Sequence, residues 1–213
     1  MDFIDENIEN YALAHTEKEP ELLYELNRQT HIQVLQPRML SGHLQGRVLS
    51  MMSKMIAPSI ILEIGTYTGY SALCLAEGLQ KDGKIITIDI NYELEPFTRK
   101  FFNQSEYADK IDFRIGNALE IIPTLNTPLD IVFIDADKSN YINYYDLVID
   151  HVRPGGYIIA DNVLWSGKVL EPIEKLDEDT KTLLEYNTKI QQDERVENVL
   201  LPIRDGLMIA RKK

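Results

Sequence analysis

The stretch ILEIGTYTGYSALCLAE, residues 61–77, decides the fold. An apolar run ends at Gly65, a short turn carries Thr66, Tyr67 and Thr68, and after Gly69 apolar residues recur at helical spacing. Strand, tight turn and helix in that order make the opening unit of a parallel α/β sheet. The rest of the chain repeats the alternation. Apolar runs SIILEI (59–64), KIITIDI (84–90), KIDFRIG (110–116), DIVFIDA (130–136) and GYIIADN (156–162) predict strands. Between them YSALCLAEGLQ, LEPFTRKFFNQSE, ALEIIPTL and NYINYYDLVIDHV have helical periodicity. Such alternation buries a mostly parallel sheet between two helical layers.

The two ends depart from this rhythm. VENVLLPI and GLMIARKK flank Arg204-Asp205-Gly206, a turn that predicts an antiparallel hairpin closing one sheet edge. At the other end FIDENIENYALAH, EPELLYELNRQTHIQ and SGHLQGRVLSMMSKMI predict helices, the last beginning at the N-cap candidate Ser41 after a break at Gln36-Pro37. Without a repeat, low-complexity tract or linker, the chain is expected to form one domain over 1–213, with a helical cap at 1–57 and the sheet at 58–213. PIEKLDEDTKTLLEYNTKIQQDERV reads as a solvated amphipathic helix.

Composition narrows the function classes. A chain of 213 residues with 44% hydrophobic and 26% charged residues has material for a full-sized core. Its formal charge of -12 disfavours phosphate backbones and anionic membranes as partners. The start MDFIDENIEN lacks the basic and apolar regions of a signal peptide, and no run approaches the ~18 apolar residues of a membrane span. A cytoplasmic protein is expected. The lone Cys74, set among Leu73, Leu75 and Leu79, reads as a core residue, and four scattered histidines lack metal-ligand spacing.

The glycine loop excludes one ligand and suggests another. In a dinucleotide fingerprint, G-x-G-x-x-G, the second glycine admits a pyrophosphate; Tyr67 stands there. Glu63 would repel phosphate but suits ammonium or hydroxyl groups. Asp89, at the end of the second predicted strand, is placed to accept both ribose hydroxyls. A nucleoside without phosphates fits both acids.

Two further strand ends are acidic: FIDADK, with Asp135, Asp137 and Lys138, and IIADN, with Asp161 and Asn162. Asp135, Asp161 and Asn162 offer oxygen donors alone, which suits Mg²⁺, or another hard divalent ion such as Ca²⁺ or Mn²⁺, over zinc. The three positions left in six-fold coordination could take water or a vicinal diol. Lys138 follows Asp135 by three residues, so both can share a helical face; a partly desolvated lysine beside a cation gives up its proton more readily and can act as general base. Asp137 is not assigned as a ligand. Tyr141, Tyr144 and Tyr145 read as a core stripe, whereas Trp165, just beyond the second acidic end, could wall an aromatic substrate.

With E-x-G-x-x-x-G and an acidic end to the second strand, the chain resembles the class I S-adenosylmethionine-dependent methyltransferases. FIDADKSNY, GGYIIADNVLWSG and LPIRDGLMIARK sharpen this to the metal-dependent O-methyltransferases of the catechol and caffeoyl-CoA type, over roughly Leu35 to Lys213. The resemblance implies a Rossmann-like core with a seven-stranded sheet. It implies that S-adenosylmethionine meets Glu63, Gly65, Tyr67 and Ser71, with Met39 and Ser41 over its methionine end, Asp89 at the ribose, Ala118 near the adenine and Asp135 close by. Lys138 would then be the base and Trp165 a substrate contact. The expected reaction is methyl transfer to a catechol-like small molecule by a homodimer. Two rivals stand beside it: a methyltransferase for a hydroxylated tRNA uridine, for which Arg38, Arg47, Arg211, Lys212 and Lys213 could form a local basic patch, and a non-catalytic nucleoside- or metal-binding protein, which would have no need of Lys138.

Overall fold

The computed structural model describes residues 5–213. The elements in chain order are α1 (Glu6–Ala14), α2 (Glu21–Gln33), α3 (Gly42–Ile56), β1 (Ile60–Ile64), α4 (Tyr70–Ala76), β2 (Lys84–Asp89), α5 (Glu95–Gln104) and β3 (Ile111–Ile115). They continue with α6 (Ala118–Ile121), β4 (Leu129–Ile134), α7 (Tyr141–Val148), β5 (Val152–Ala160), α8 (Glu178–Gln192), β6 (Val196–Leu201) and β7 (Leu207–Lys212). The seven strands follow the order β3-β2-β1-β4-β5-β7-β6 in a mostly parallel sheet. All five expected parallel strands and the closing hairpin are present. Of the first expected helix, Phe3 and Ile4 lie outside the described residues. By packing, the chain groups into two compact units, Glu6–Asn117 and Ala118–Lys213.

In the first unit, β1 pairs in parallel with β2, and β2 with β3. Ile61, Leu62, Ile64, Ile85, Ile86 and Ile88 are buried, as strands covered on both faces require. Helices α3 and α4 pack closely: a Cβ on Gly78 would collide with the Ser53 backbone, and one on Gly46 with the Tyr70 ring. Arg47 and Lys54 on α3 both reach Glu77 just after α4, at 2.6 and 2.8 Å. Cys74 lies between them, fully buried; desolvation pushes its thiol up to about 12 despite the Arg47 charge, so it is inert core. Ser41 precedes α3 as expected, but its backbone is already helical (φ −55°, ψ −36°), and its hydroxyl makes no capping bond to the helix.

In the second unit, β4 pairs in parallel with β5, β5 runs antiparallel to β7, and β7 antiparallel to β6. Every residue of β4 is buried. The hairpin turn uses two left-handed residues, Arg204 (φ 49°) and Gly206 (φ 89°). Gly206 is required twice over, since a Cβ there would also strike Leu164. Several helices are shorter than the periodicity suggested, α6 and α8 among them. After α6 the chain tightens into a 3₁₀ turn over Ile122–Thr124, because Pro123 has no N–H to continue an α-helix. α8 starts only at Glu178, where Asp177 caps it by accepting from the Thr180 N–H at 2.8 Å. Its stripe of Thr180, Leu183, Tyr186 and Ile190 is buried, so one face of this expected solvated helix belongs to the core.

Candidate functional site

In the first unit the loop after β1 is shaped by three left-handed residues, Gly65 (φ 99°), Tyr67 (φ 50°) and Gly69 (φ 90°). A side chain on Gly69 would collide with Phe102 and Thr98, so this glycine also brings the loop against α5. The positive φ at Tyr67 aims its N–H at Asp89, whose Oδ2 accepts at 2.6 Å; Oδ1 accepts from the Asn91 N–H at 2.8 Å. Each oxygen retains a lone pair, so Asp89 can still accept two hydroxyl protons. Glu63 is fully buried on β1 and accepts a short hydrogen bond from the Thr87 hydroxyl, which Thr66 joins at 2.5 Å.

The remaining residues expected around the donor come from other parts of the chain. Ser71 is buried in the first turn of α4. The Tyr67 hydroxyl donates to the Gln36 carbonyl at 2.9 Å, fastening the loop to the segment that enters the Pro37–Met39 turn. Met39 is 58% exposed and Ser41 is buried. Ala118, the first residue of α6, is buried in the second unit. No phosphate-cradling glycine occupies the centre of the loop, in keeping with a nucleoside that carries no diphosphate.

The second unit gathers the other acidic ends. β4 stops at Ile134 and β5 at Ala160, so Asp135, Asp161 and Asn162 stand immediately past two adjacent strand ends. The Asp161 N–H donates to the Ile134 carbonyl at 2.9 Å, tying the two ends together. Asn162 is left-handed (φ 59°), a conformation asparagine tolerates better than most residues, and its N–H donates to Asp161 Oδ1 at 2.7 Å. Between these groups lies Lys138, 7% exposed. Its Nζ donates to Asn162 Oδ1 at 2.7 Å, to Asp135 Oδ1 at 3.3 Å and to the Tyr141 hydroxyl at 2.6 Å.

Two oxygens that both reach one ammonium nitrogen lie within the grasp of a single cation, and they are hard donors. Asp161 adjoins them. Among the described residues no three His, Cys, Asp or Glu side chains cluster as metal ligands. The candidate set is two carboxylates and an amide oxygen, and it fits a hard divalent ion. Asp137 is exposed and ties its own turn, accepting from Ser139, Asn140 and Tyr144.

Trp165 begins a run of three left-handed residues with Ser166 and Gly167. This turn is pinned by the hairpin: Leu164 N–H donates to the Asp205 carbonyl at 2.9 Å, and Ser166 N–H to the Asp205 carboxylate. Lys138 Nζ lies 5.6 Å from the indole centroid, and the buried indole N–H has no acceptor.

Tyr141 is the residue that the sequence left in the core stripe. It is fully buried, but its hydroxyl touches Lys138, Asp161 and Ile134. Burial first, and then the carboxylates of Asp135 and Asp161, drive its phenol well above its ordinary value, so it stays protonated. The signal was present in the spacing, since Lys138 and Tyr141 are three residues apart.

The O-methyltransferase family model matches residues 13–213. Caffeoyl-CoA O-methyltransferase 2 of Eucalyptus globulus is 39% identical over 179 residues, covering 79% of this chain and 72% of its own. Among solved structures, the O-methyltransferase from Bacillus cereus in complex with SAH superposes with a TM-score of 0.88 at 27% identity, covering 97% of each chain. TomG from Streptomyces achromogenes, an O-methyltransferase involved in tomaymycin synthesis and solved with SAM, gives a TM-score of 0.89 at 26% identity, covering 97% of this chain and 96% of its own. A glycine loop suited to a nucleoside, the shared sheet topology and a family match over nearly the whole sequence lead to one assignment: this chain belongs to the S-adenosylmethionine-dependent O-methyltransferases.

Proposed function

We propose that the protein methylates one of two vicinal hydroxyls on a catechol-like small molecule, using a divalent cation, Mg²⁺ by choice, held by Asp135, Asp161 and Asn162, with Lys138 as general base. The observation that carries this reading is the convergence of Asp135 and Asn162 on Lys138 Nζ, at 3.3 and 2.7 Å, beside Asp161. S-adenosylmethionine supplies an electrophilic methyl on a sulfonium, which leaves as a neutral thioether. A bound cation would fix the acceptor and favour its ionised form. Lys138, as a neutral amine, takes the proton that the acceptor hydroxyl loses, and the oxygen lone pair so released forms the new bond to carbon. Asp89 and Glu63 contribute by holding the donor, since positioning supplies much of the acceleration in a two-substrate displacement. Trp165 offers an aromatic face to the acceptor beside Lys138.

The tRNA reading has less support. Arg47 is occupied by Glu77, and Arg211 pairs with Glu197 at 2.7 Å. Lys212 and Lys213 donate to the carbonyls of Ile149 and Glu194. The expected basic patch is thereby largely spent on internal contacts. A homodimer stays within the proposal, with Met51 and Met55 on α3 as exposed apolar surface available to it; sedimentation at graded protein concentration tests it. Among the described residues no helix is long and apolar enough to cross a membrane.

The deciding experiment is transfer of labelled methyl from S-adenosylmethionine to a panel of catechols, to their monohydroxy analogues and to bulk tRNA, each with and without a chelator. Catechol methylation that stops with chelator and returns with Mg²⁺ is expected. Full-rate transfer without metal, or preference for tRNA, would sink the proposal.

A further inference from the structure

Lys138 has three hydrogen-bond acceptors within reach: Tyr141 Oη at 2.6 Å, Asn162 Oδ1 at 2.7 Å and Asp135 Oδ1 at 3.3 Å. They match the three N–H bonds of an ammonium. As a general base the same nitrogen must be neutral, with two N–H bonds and one lone pair. Its geometry then depends on which acceptors it keeps. If Asp135 and Asn162 bind a cation, as proposed above, one lone pair of each oxygen turns to the cation and the two hold the lysine less firmly. Tyr141 is the acceptor that the cation leaves untouched.

The direction of the Tyr141 bond is fixed by its surroundings. Its hydroxyl is buried against two backbone carbonyls, Asp161 at 3.0 Å and Ile134 at 3.4 Å, neither of which can donate. Beside the lysine ammonium, which has no lone pair to accept, the phenol proton goes to a carbonyl and the phenol oxygen accepts from lysine. One lysine N–H is thus held toward the protein interior, and the lone pair is directed elsewhere. The ring is clamped by Tyr186 on α8, with centroids 5.5 Å apart at 77°, so the oxygen has little freedom to follow the lysine.

We propose that Tyr141 is the positioning residue for Lys138, accepting one of its N–H bonds while its own proton is locked on the Asp161 carbonyl, so that the amine stays aimed when Asp135 and Asn162 hold a cation. The inference rests on Lys138 being the base, and a double-mutant cycle separates the two ideas. Tyr141→Phe keeps the ring and its packing on Tyr186. It should lower kcat about 10–100-fold, the range for losing a hydrogen bond to an ionisable group, with KM for the acceptor and affinity for S-adenosylmethionine unchanged. Mn²⁺ binding, measured without donor or acceptor, should match that of the natural enzyme. In the Lys138→Ala background, adding Tyr141→Phe should cost nothing more, because the tyrosine acts only through the lysine.

Full activity of Tyr141→Phe, an additive double variant, or a loss of Mn²⁺ affinity that tracks the fall in kcat would each overturn the inference. In the last case the tyrosine would be acting through the strand end instead. A fully active Lys138→Ala would remove the base reading itself, an outcome distinct from an active Tyr141→Phe beside an inactive Lys138→Ala. Should Tyr141→Phe fail to fold, 3-fluorotyrosine at position 141 keeps the bond pattern with a weaker acceptor. A smaller fall in kcat is then expected, and an unchanged kcat overturns the inference.

Discussion

The ends of β1 and β2 and the ends of β4 and β5 are both acidic, yet their carboxylates have different partners. Glu63 and Asp89 accept from hydroxyls and backbone N–H groups: Thr87 for the first, Tyr67 and Asn91 for the second. Asp135 accepts from an ammonium, which it shares with Asn162. Neutral donors leave a carboxylate ready for further neutral donors, such as ribose hydroxyls. An ammonium marks a place where the surrounding oxygens already suit a positive charge. Carboxylates at neighbouring strand ends thus meet different partners, and it is this difference in partners that the proposed donor and cation roles rest on.

The hardest test of this contrast is Asp135→Ala. Removing a charged oxygen from the proposed cation set should cost about 1,000-fold or more in kcat/KM, several kcal/mol of transition-state stabilisation. Affinity for Mn²⁺ should fall with it. An Asp135→Ala enzyme that methylates catechols at the natural rate would erase the distinction between the two acidic ends. Lys138→Met comes next. It keeps the length of the side chain without the amine, and about 100-fold or more should be lost from kcat, the usual range for a positioned base. Metal affinity should hold or rise, since the ammonium no longer competes for Asp135 and Asn162.

At the other end, Asp89→Ala should act on the donor. Loss of two hydroxyl hydrogen bonds to a charged acceptor weakens S-adenosylmethionine by about 10–100-fold, read by calorimetry without acceptor or metal. Metal affinity should not move. If Asp89→Ala and Asp135→Ala both weakened donor and metal alike, the two ends would be one electrostatic unit and not two specialised ones.

Much of this contrast was legible before the structure. Glu63, Asp89, Asp135 and Asp161 follow apolar runs whose period identifies strands, so their place at strand ends is a consequence of pattern alone. What pattern cannot carry is direction. Tyr141 obeys the same helical spacing as Tyr144 and Tyr145, and all three are buried. Their hydroxyls nevertheless go to Lys138, Asp137 and Asp193 respectively. Which way a phenol points depends on tertiary packing, here on Tyr186 from a helix forty-odd residues later. The left-handed backbone of the Trp165 loop was hidden for a similar reason. Three successive left-handed residues are held by Asp205, which lies across the hairpin and far along the chain. Ser41 failed as a cap because its own backbone had already turned helical, which a capping preference cannot foresee.

The first unit also holds a carboxylate that serves the fold. Glu77 is nearly buried and binds Arg47, Lys54 and Ser50, at 2.6, 2.8 and 2.7 Å, joining α3 to the end of α4. Burial is the largest single influence and raises its pKa, but the hydrogen bonds from Arg47, Lys54 and Ser50 together outweigh it and hold the carboxyl below the ordinary value of 4.5. A depressed carboxylate stabilises the fold above its unfolded pKa, and that contribution fades as pH falls through the folded value. Glu77→Gln should therefore lower stability by about 1–3 kcal/mol near neutral pH, since it leaves a mostly buried guanidinium with a weaker partner. The gap in melting temperature between the natural protein and the variant should close as pH is taken below about 4.5. Below its melting temperature the variant should methylate at the natural rate. A loss of rate with the fold intact would mean that the α3–α4 clamp also shapes the donor loop, because Gly69 leads directly into the helix that Glu77 ends.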